Sequence, residues 1–449
     1  MQISDEVESR LEASLNDFDA QLRREALVTL NGYRQADAPP ADSGIKHNMH
    51  CHTFYSYNGY GYSPSYIAWW AAKENLFAAG TVDFDVLDAV DEFLEASKLL
   101  NIRGVCGIET RAFFPEYAEK ELNSPGEPGI AYHMGVGFCS GTVPAEVAPF
   151  LANLREKASE RTRNIVKAVN AYLAPVELDY STDVEALTPG GNATERHVCS
   201  AYFRKAEDVF PEESARISFW SEKLNTAPET MAELIGDRVK LEGLIRSKTM
   251  KAGGAGYVKA DPKSFPPLKD MNNFISCCGA IPTIAWLDGF SAGEKDVDAL
   301  LDTHIANGAR ALGIVPDRNW NLSDKELAAK KVSELNRVVE AALKRDMPIV
   351  VGTEMNAPGL KLVDDFDNPA LAPHAQTFAD GAAIAFAHTL LQPLGKGYGS
   401  EWAEKTFASG ADRNRFFAAL GTKARPCCAE SLAAAGDSPQ SMLAAITKK

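Results

Sequence analysis

Short apolar runs alternate with amphipathic stretches along most of this chain, and nearly every run ends in polar residues. Residues 5–34 predict a helix with an acidic face, followed by the Pro/Ala/Asp linker "QADAPPADSG". From there to about 145 the pattern alternates. "GIKHNMHCHT" reads as a strand, and "SPSYIAWWAAKENL" as a helix opened by Ser63 with Pro64 in its first turn. "FAAGTVDF" reads as a strand, "DAVDEFLEASKLLN" as a helix, and "IRGVCGIETRAFF" and "GIAYHMGVGF" as strands. Alternation of this kind predicts parallel βα units. Residues 146 to about 245 have helical periodicity, interrupted by the turn-rich "ALTPGGNATERH". The strand–helix rhythm then resumes with apolar runs in "AIPTIAWLDG", "ARALGIVPDR" and "MPIVVGTEMNAPG". After about 366 the pattern is helical with Gly breaks.

Composition narrows the classes. The 449 residues are 45% hydrophobic and 24% charged, ordinary for a globular chain. A net charge of −15 argues against wrapping long nucleic acid. The acidic start lacks the pattern of a signal peptide, and no apolar run is long enough for a membrane span. Eight cysteines without zinc-finger spacing predict reduced thiols and a cytoplasmic setting. A small anionic substrate stays compatible with the charge, because a bound cation dominates its local field.

Candidate chemistry concentrates in "HNMHCHTFYSYNGYGYSP", residues 47–64. His50 and His52 are two apart, so on a strand both imidazoles face one side and can meet one cation. His47 has odd spacing from His50 and points the other way. Glu109, Asp288 and Glu354 each end an apolar strand, and His133 stands inside one. In a βα barrel the carboxyl ends of parallel strands converge on one rim, where active sites lie. Four tyrosines, Tyr55 to Tyr62, follow the histidines on the same rim loop. They either wall a pocket or pack over the barrel. His304, His374 and His388 read as surface or packed histidines.

"HCHTFYSYNGYGYSP", "GTVDF", "GIE", "YHMGVGF", "AIPTIAWLDG" and "VGTEMNAPG" come in the order of the motifs of the polymerase-and-histidinol-phosphatase (PHP) superfamily of metal-dependent phosphoesterases. The chain resembles that family from about residue 45 to 360. The insert "NATERHVCSAYFRKA" is similar to a segment of its branch acting on nucleoside monophosphates and short oligonucleotides. The resemblance implies an α/β fold, a distorted (β/α)7 TIM-like barrel over 41–365 with a helical insert at about 146–260. An N-terminal helix and linker (1–40) and a C-terminal helical extension (366–449) flank it. It also implies a site with one or two divalent ions (Zn, Mn or Fe), the first on His50, His52, Glu109 and Glu354. The second would use Glu109, His133 and Asp288. His197 and Asp83 carry over as catalytic residues, and Tyr57, Arg163, Asn356 and Trp286 as substrate-binding ones, with Arg161 beside Arg163 on the helix "SERTRNIV" where the family often has phosphate-contacting arginines. The chain departs from the family at Tyr57, Phe84, Trp286, Glu354 and Asn356, where aromatic or altered groups replace ligands. The expected function is a metal-dependent phosphoesterase acting on a small phosphorylated molecule. The alternatives are a degenerate barrel that binds without turnover and a hydrolase of another bond.

Overall fold

The computed structural model describes residues 4–35 and 44–446 apart from 252, 258 and 260. Seven strands form one sheet in chain order. They are β1 (His47–Cys51), β2 (Ala78–Phe84), β3 (Gly104–Phe113), β4 (Ile130–Val136), β5 (Ile281–Trp286), β6 (Ala311–Ile314) and β7 (Ile349–Val351). The sheet curls into a nearly closed barrel, with β1 and the chain beyond β7 joined by a parallel bridge between Cys51 and Glu354. The pairs β1–β2, β2–β3, β5–β6 and β6–β7 are parallel. β4 runs antiparallel to both its neighbours, so the expected parallel βα pattern does not extend to this strand. A parallel pair needs a long crossover, usually a helix. Between β3 and β4 there is only a single 3-10 turn, Pro115–Tyr117.

The N-terminal segment also differs from its reading as one helix. It forms two, Asp5–Ser14 and Ala20–Gln35. The Asp17 and Asp19 carboxylates accept from the backbone N–H groups of Asp19 and Gln21, a local turn that competes with the helix. Most of the predicted linker, 36–43, lies outside the described residues.

The helix Ala375–Leu391 covers the rim formed by the amino ends of the parallel strands. Its Ala382, Ala383 and Phe386 pack in one apolar cluster with Ala78, Val105, Ile281 and Ala311. Gly381 lets this helix approach closely, because a Cβ there would sit 1.7 Å from the Ile349 carbonyl oxygen. The opposite rim is left for the helical insert, which has its own core of Val169, Tyr202, Trp220, Leu241 and Ile245. The insert docks onto the rim loops through Thr188 Oγ1 on the Phe54 carbonyl (2.9 Å) and Asn192 Nδ2 on the Phe84 carbonyl (2.7 Å). Among the described residues no disulfide joins any of the eight cysteines, and no helix is long and apolar enough to cross a membrane.

Candidate metal centre

β1 delivers His50 and His52 to the same side at its carboxyl end, and β3 delivers Glu109 beside them. The Nε2 atoms of the two histidines are 3.3 Å apart, and Glu109 Oε2 is 3.3 Å from each. The three side chains are 0–7% exposed. Glu109 Oε2 is buried yet has no hydrogen-bond partner, although a buried carboxylate oxygen normally has one. Ligand atoms about 2.0–2.1 Å from a tetrahedral ion lie about 3.3–3.4 Å from one another. The three equal edges therefore match one face of such a coordination sphere. Two imidazoles and a carboxylate suit zinc, manganese or iron. Among the described residues these three form the one group that can hold a metal.

Electrostatics couple the three groups. Burial raises the Glu109 carboxyl, but His50 and then His52 outweigh it and hold the group well below the carboxylate range. Burial likewise disfavours charge on His52, yet Glu109, with Glu354 and Asp83 behind it, pulls its pKa up.

The rest of the His52 ring is fixed by β2 and the loop after β1. Phe84 stacks on it, with centroids 4.4 Å apart and planes at 23°. Its Nδ1 lies 3.2 Å from Ser56 Oγ, which donates to Asp83 Oδ1 at 2.6 Å. Asp83 also accepts from Thr53 N–H and Thr53 Oγ1, each at 2.7 Å. Asp83 thus stands behind the ligands and away from the cavity wall.

The other expected ligands have protein partners of their own. Glu354 faces the same cavity, but its Oε1 accepts from Arg318 (2.6 Å) and its Oε2 from Asn356 (3.1 Å). The backbone there is strained, with φ +63° at Glu354 and +49° at Met355. Three bonds hold it: His52 N–H to the Glu354 carbonyl, Asn58 Nδ2 to the Met355 carbonyl, and Gly59 N–H to the Asn356 carbonyl. His133 lies on the other face of β4. Strand residues alternate faces, and Tyr132 and Met134 line the cavity, so His133 turns to Asn272 Oδ1 (2.5 Å) and the ring of His304. Asp288 pairs with Lys331 at 2.8 Å. Among the described residues these placements leave one cluster of three potential ligands, His50, His52 and Glu109.

His197 Nδ1 accepts from the Thr194 N–H (3.0 Å), capping the helix Glu195–Val209. It is absent from the cavity wall, and burial followed by the charge of Arg204 pushes its pKa down to about 3. Tyr57 lines the cavity and meets the His197 ring edge to face. Trp286 and Asn356 also line it, while Arg163 is exposed over Tyr180.

The cluster opens, through His50 and Glu109, into a cavity of about 410 Å³ between barrel and insert. Six cations line it, Arg111, Arg161, Arg196, Arg246, Lys251 and Arg318, against the carboxylates Asp85, Glu109, Glu195 and Glu354. Five of the cations have a carboxylate partner: Arg111 with Glu127, Arg161 with Asp85, Arg246 and Lys251 with Glu195, and Arg318 with Glu354. Among the described residues Arg196 has none. Its guanidinium lies 5.7 Å over the Tyr57 ring, and burial, then the charge of Arg246, lowers its pKa. Sequence reading passed over Arg196, Arg246, Arg318 and Ser56. Of the two arginines marked on the helix "SERTRNIV", Arg161 reaches the cavity: Ala158, Arg161, Thr162 and Ile165 share helical spacing and line it together, which turns Arg163 outward.

No protein-family profile matches this sequence, and the comparison with curated proteins found no match. Among solved structures the chain is similar to an amidohydrolase from Chromobacterium violaceum, determined with bound sulfate and no metal. The TM-score is 0.49 at 16% identity, over 74% of this chain and 96% of that one. It is also similar to a protein from Bifidobacterium adolescentis described as a metal-dependent phosphoesterase. There the TM-score is 0.45 at 18% identity, over 73% of this chain and 94% of that one.

Proposed function

We propose that this protein is a hydrolase of small anionic molecules, dependent on one divalent ion (zinc, manganese or iron) held by His50, His52 and Glu109. The observation that carries this reading is the buried triangle with 3.3 Å edges, one corner of which is a carboxylate oxygen without a hydrogen-bond partner. When bound, such an ion acts as a Lewis acid and brings the pKa of water toward neutrality. Phosphoesters are the first bond class in this reading, on the motif resemblance to the PHP superfamily and on the cationic majority of the cavity wall.

The chain's own residues divide the remaining work. Arg196, without a carboxylate partner, receives the anionic group of the substrate through charge-assisted hydrogen bonds. Tyr57, Phe84, Tyr132 and Trp286 supply apolar wall around it, which excludes water and strengthens each electrostatic contact. Glu354, oriented by Arg318 and Asn356, is the carboxylate placed to accept a proton at the cavity wall. Asp85, paired with Arg161 and accepting from Thr110 Oγ1, holds the insert against β3.

Metal analysis of the purified chain, followed by assay of the zinc-, manganese- and iron-loaded forms on a panel of phosphomonoesters, tests the reading. One ion per chain is expected, with turnover that His50→Ala removes. A chain that takes up no ion at these residues overturns it. Metal uptake without turnover on any ester favours binding alone.

A further inference from the structure

We infer that Ser56 is a positioning residue for the metal centre: with Asp83 it fixes which nitrogen of His52 carries the proton, so that Nε2 is presented to the ion. The inference rests on the reading of the three-residue cluster as a metal site, and the hydrogen-bond directions carry it.

Asp83 is 1% exposed and receives three donors: the Thr53 N–H (2.7 Å), the Thr53 hydroxyl (2.7 Å) and the Ser56 hydroxyl (2.6 Å). Three converging donors define an ionised carboxylate, which only accepts. Ser56 has a single hydroxyl proton, and Asp83 takes it. Ser56 Oγ can then face His52 Nδ1, 3.2 Å away, only as an acceptor, so Nδ1 must carry a hydrogen. In the neutral imidazole the other nitrogen is then the lone-pair atom. That atom, Nε2, is the corner of the triangle shared with His50 Nε2 and Glu109 Oε2.

Position and rotation are fixed as well. His52 and Ser56 are fully buried, and Phe84 covers one face of the imidazole. His50 lacks such a device, since its ring has no hydrogen bond beyond the triangle among the described residues. The two histidines therefore differ in kind. His52 is pre-oriented from behind by an anion acting through a hydroxyl, an arrangement that fixes the tautomer and increases ligand basicity. His50 borders the cavity and is held mainly by its strand.

The test uses the full-length, metal-free chain labelled with nitrogen-15 at histidine, at alkaline pH where imidazoles are neutral. The His52 signals are assigned by comparison with His52→Gln. Wild type is expected to show the Nδ1–H form of His52. Ser56→Ala should lose that preference and bind Zn²⁺ at least about 10-fold more weakly in a calorimetric titration, the usual scale for such supporting contacts. Ser56→Thr restores the hydroxyl and should recover both readouts, and circular dichroism melting confirms that each variant is folded. An Nε2–H form in wild type, or a Ser56→Ala chain with unchanged tautomer and zinc affinity, overturns the inference. A wild-type chain that binds no zinc overturns the metal reading instead, while the tautomer spectra still decide the role of Ser56.

Discussion

Acidification should unfold the metal-free protein before most of its carboxylates titrate, because five buried histidines are held neutral. Burial lowers the pKa of His47, His133 and His388 to about 4 and that of His197 to about 3, with Arg204 adding to the last. Burial and the neighbouring His133 take His304 well below its ordinary value. Each folded-state value is depressed, so the unfolded chain binds the proton first. The stability linked to these groups is complete above pH about 6.5 and is lost as pH falls from there toward about 4. Asp364 works the other way. Burial and the charge of Asp317 push it up to about 8, so the folded chain already holds its proton. Glu294, also raised by burial, leans the same way. About four protons taken up on unfolding correspond to about 5 kcal/mol lost per pH unit. Against a total stability of about 5–15 kcal/mol, this places acid unfolding near pH 5. Guanidinium titrations in chelator at a series of pH values from neutral to about 5 give both the slope and the proton uptake. His388→Gln keeps a donor for the Gly137 carbonyl and an acceptor for the Tyr398 N–H, and should reduce the uptake by about one proton. Stability that stays flat across that range, or uptake below about one proton, would refute the reasoning.

Three further changes probe the site and its frame. A Cβ at Gly352 would lie 2.4 Å from the His50 backbone nitrogen and 2.7 Å from His50 Cβ. Gly352→Ala should therefore displace His50 and weaken zinc binding by about 10-fold or more in a calorimetric titration. Arg196→Ala should raise KM for the anionic substrate by about 10- to 100-fold with little change in kcat, as expected for a lost charge-assisted hydrogen bond, and steady-state kinetics check this. Gly381→Ala forces the helix Ala375–Leu391 off the Ile349 carbonyl and should cost about 1–3 kcal/mol or more by denaturant titration, without changing metal stoichiometry.

Apart from β1, whose sequence is HNMHC, the strands were legible as apolar runs closed by polar residues, and every one of the seven falls inside a segment read as a strand. His50 and His52 were legible for a local reason, the two-residue period of extended chain. Direction was not local. His133 was visible as a strand residue, but the face it uses depends on the register of β4 against β3, which sets Met134 opposite Glu109 and His133 opposite Thr110. Arg196 was illegible for the same kind of reason. Its place at the cavity arises only when a helix of the insert is laid over a barrel built from residues far away in the chain. Ser56 sits in a loop whose hydrogen bonds to β2 no periodicity announces. The break after Ser14 did carry a signal, the clustered Asn16, Asp17 and Asp19, which favour turns over a helix interior.

The junction between first and last strands has its own consequence. His52 donates its backbone N–H to the Glu354 carbonyl, and Cys51 bridges to the same residue, so the imidazoles stand on the seam where the cylinder is zipped shut. That seam joins residues some three hundred positions apart and cannot exist until the entire barrel chain has been laid down. On the proposed reading, an ion held by His50, His52 and Glu109 would act as a clasp on that seam.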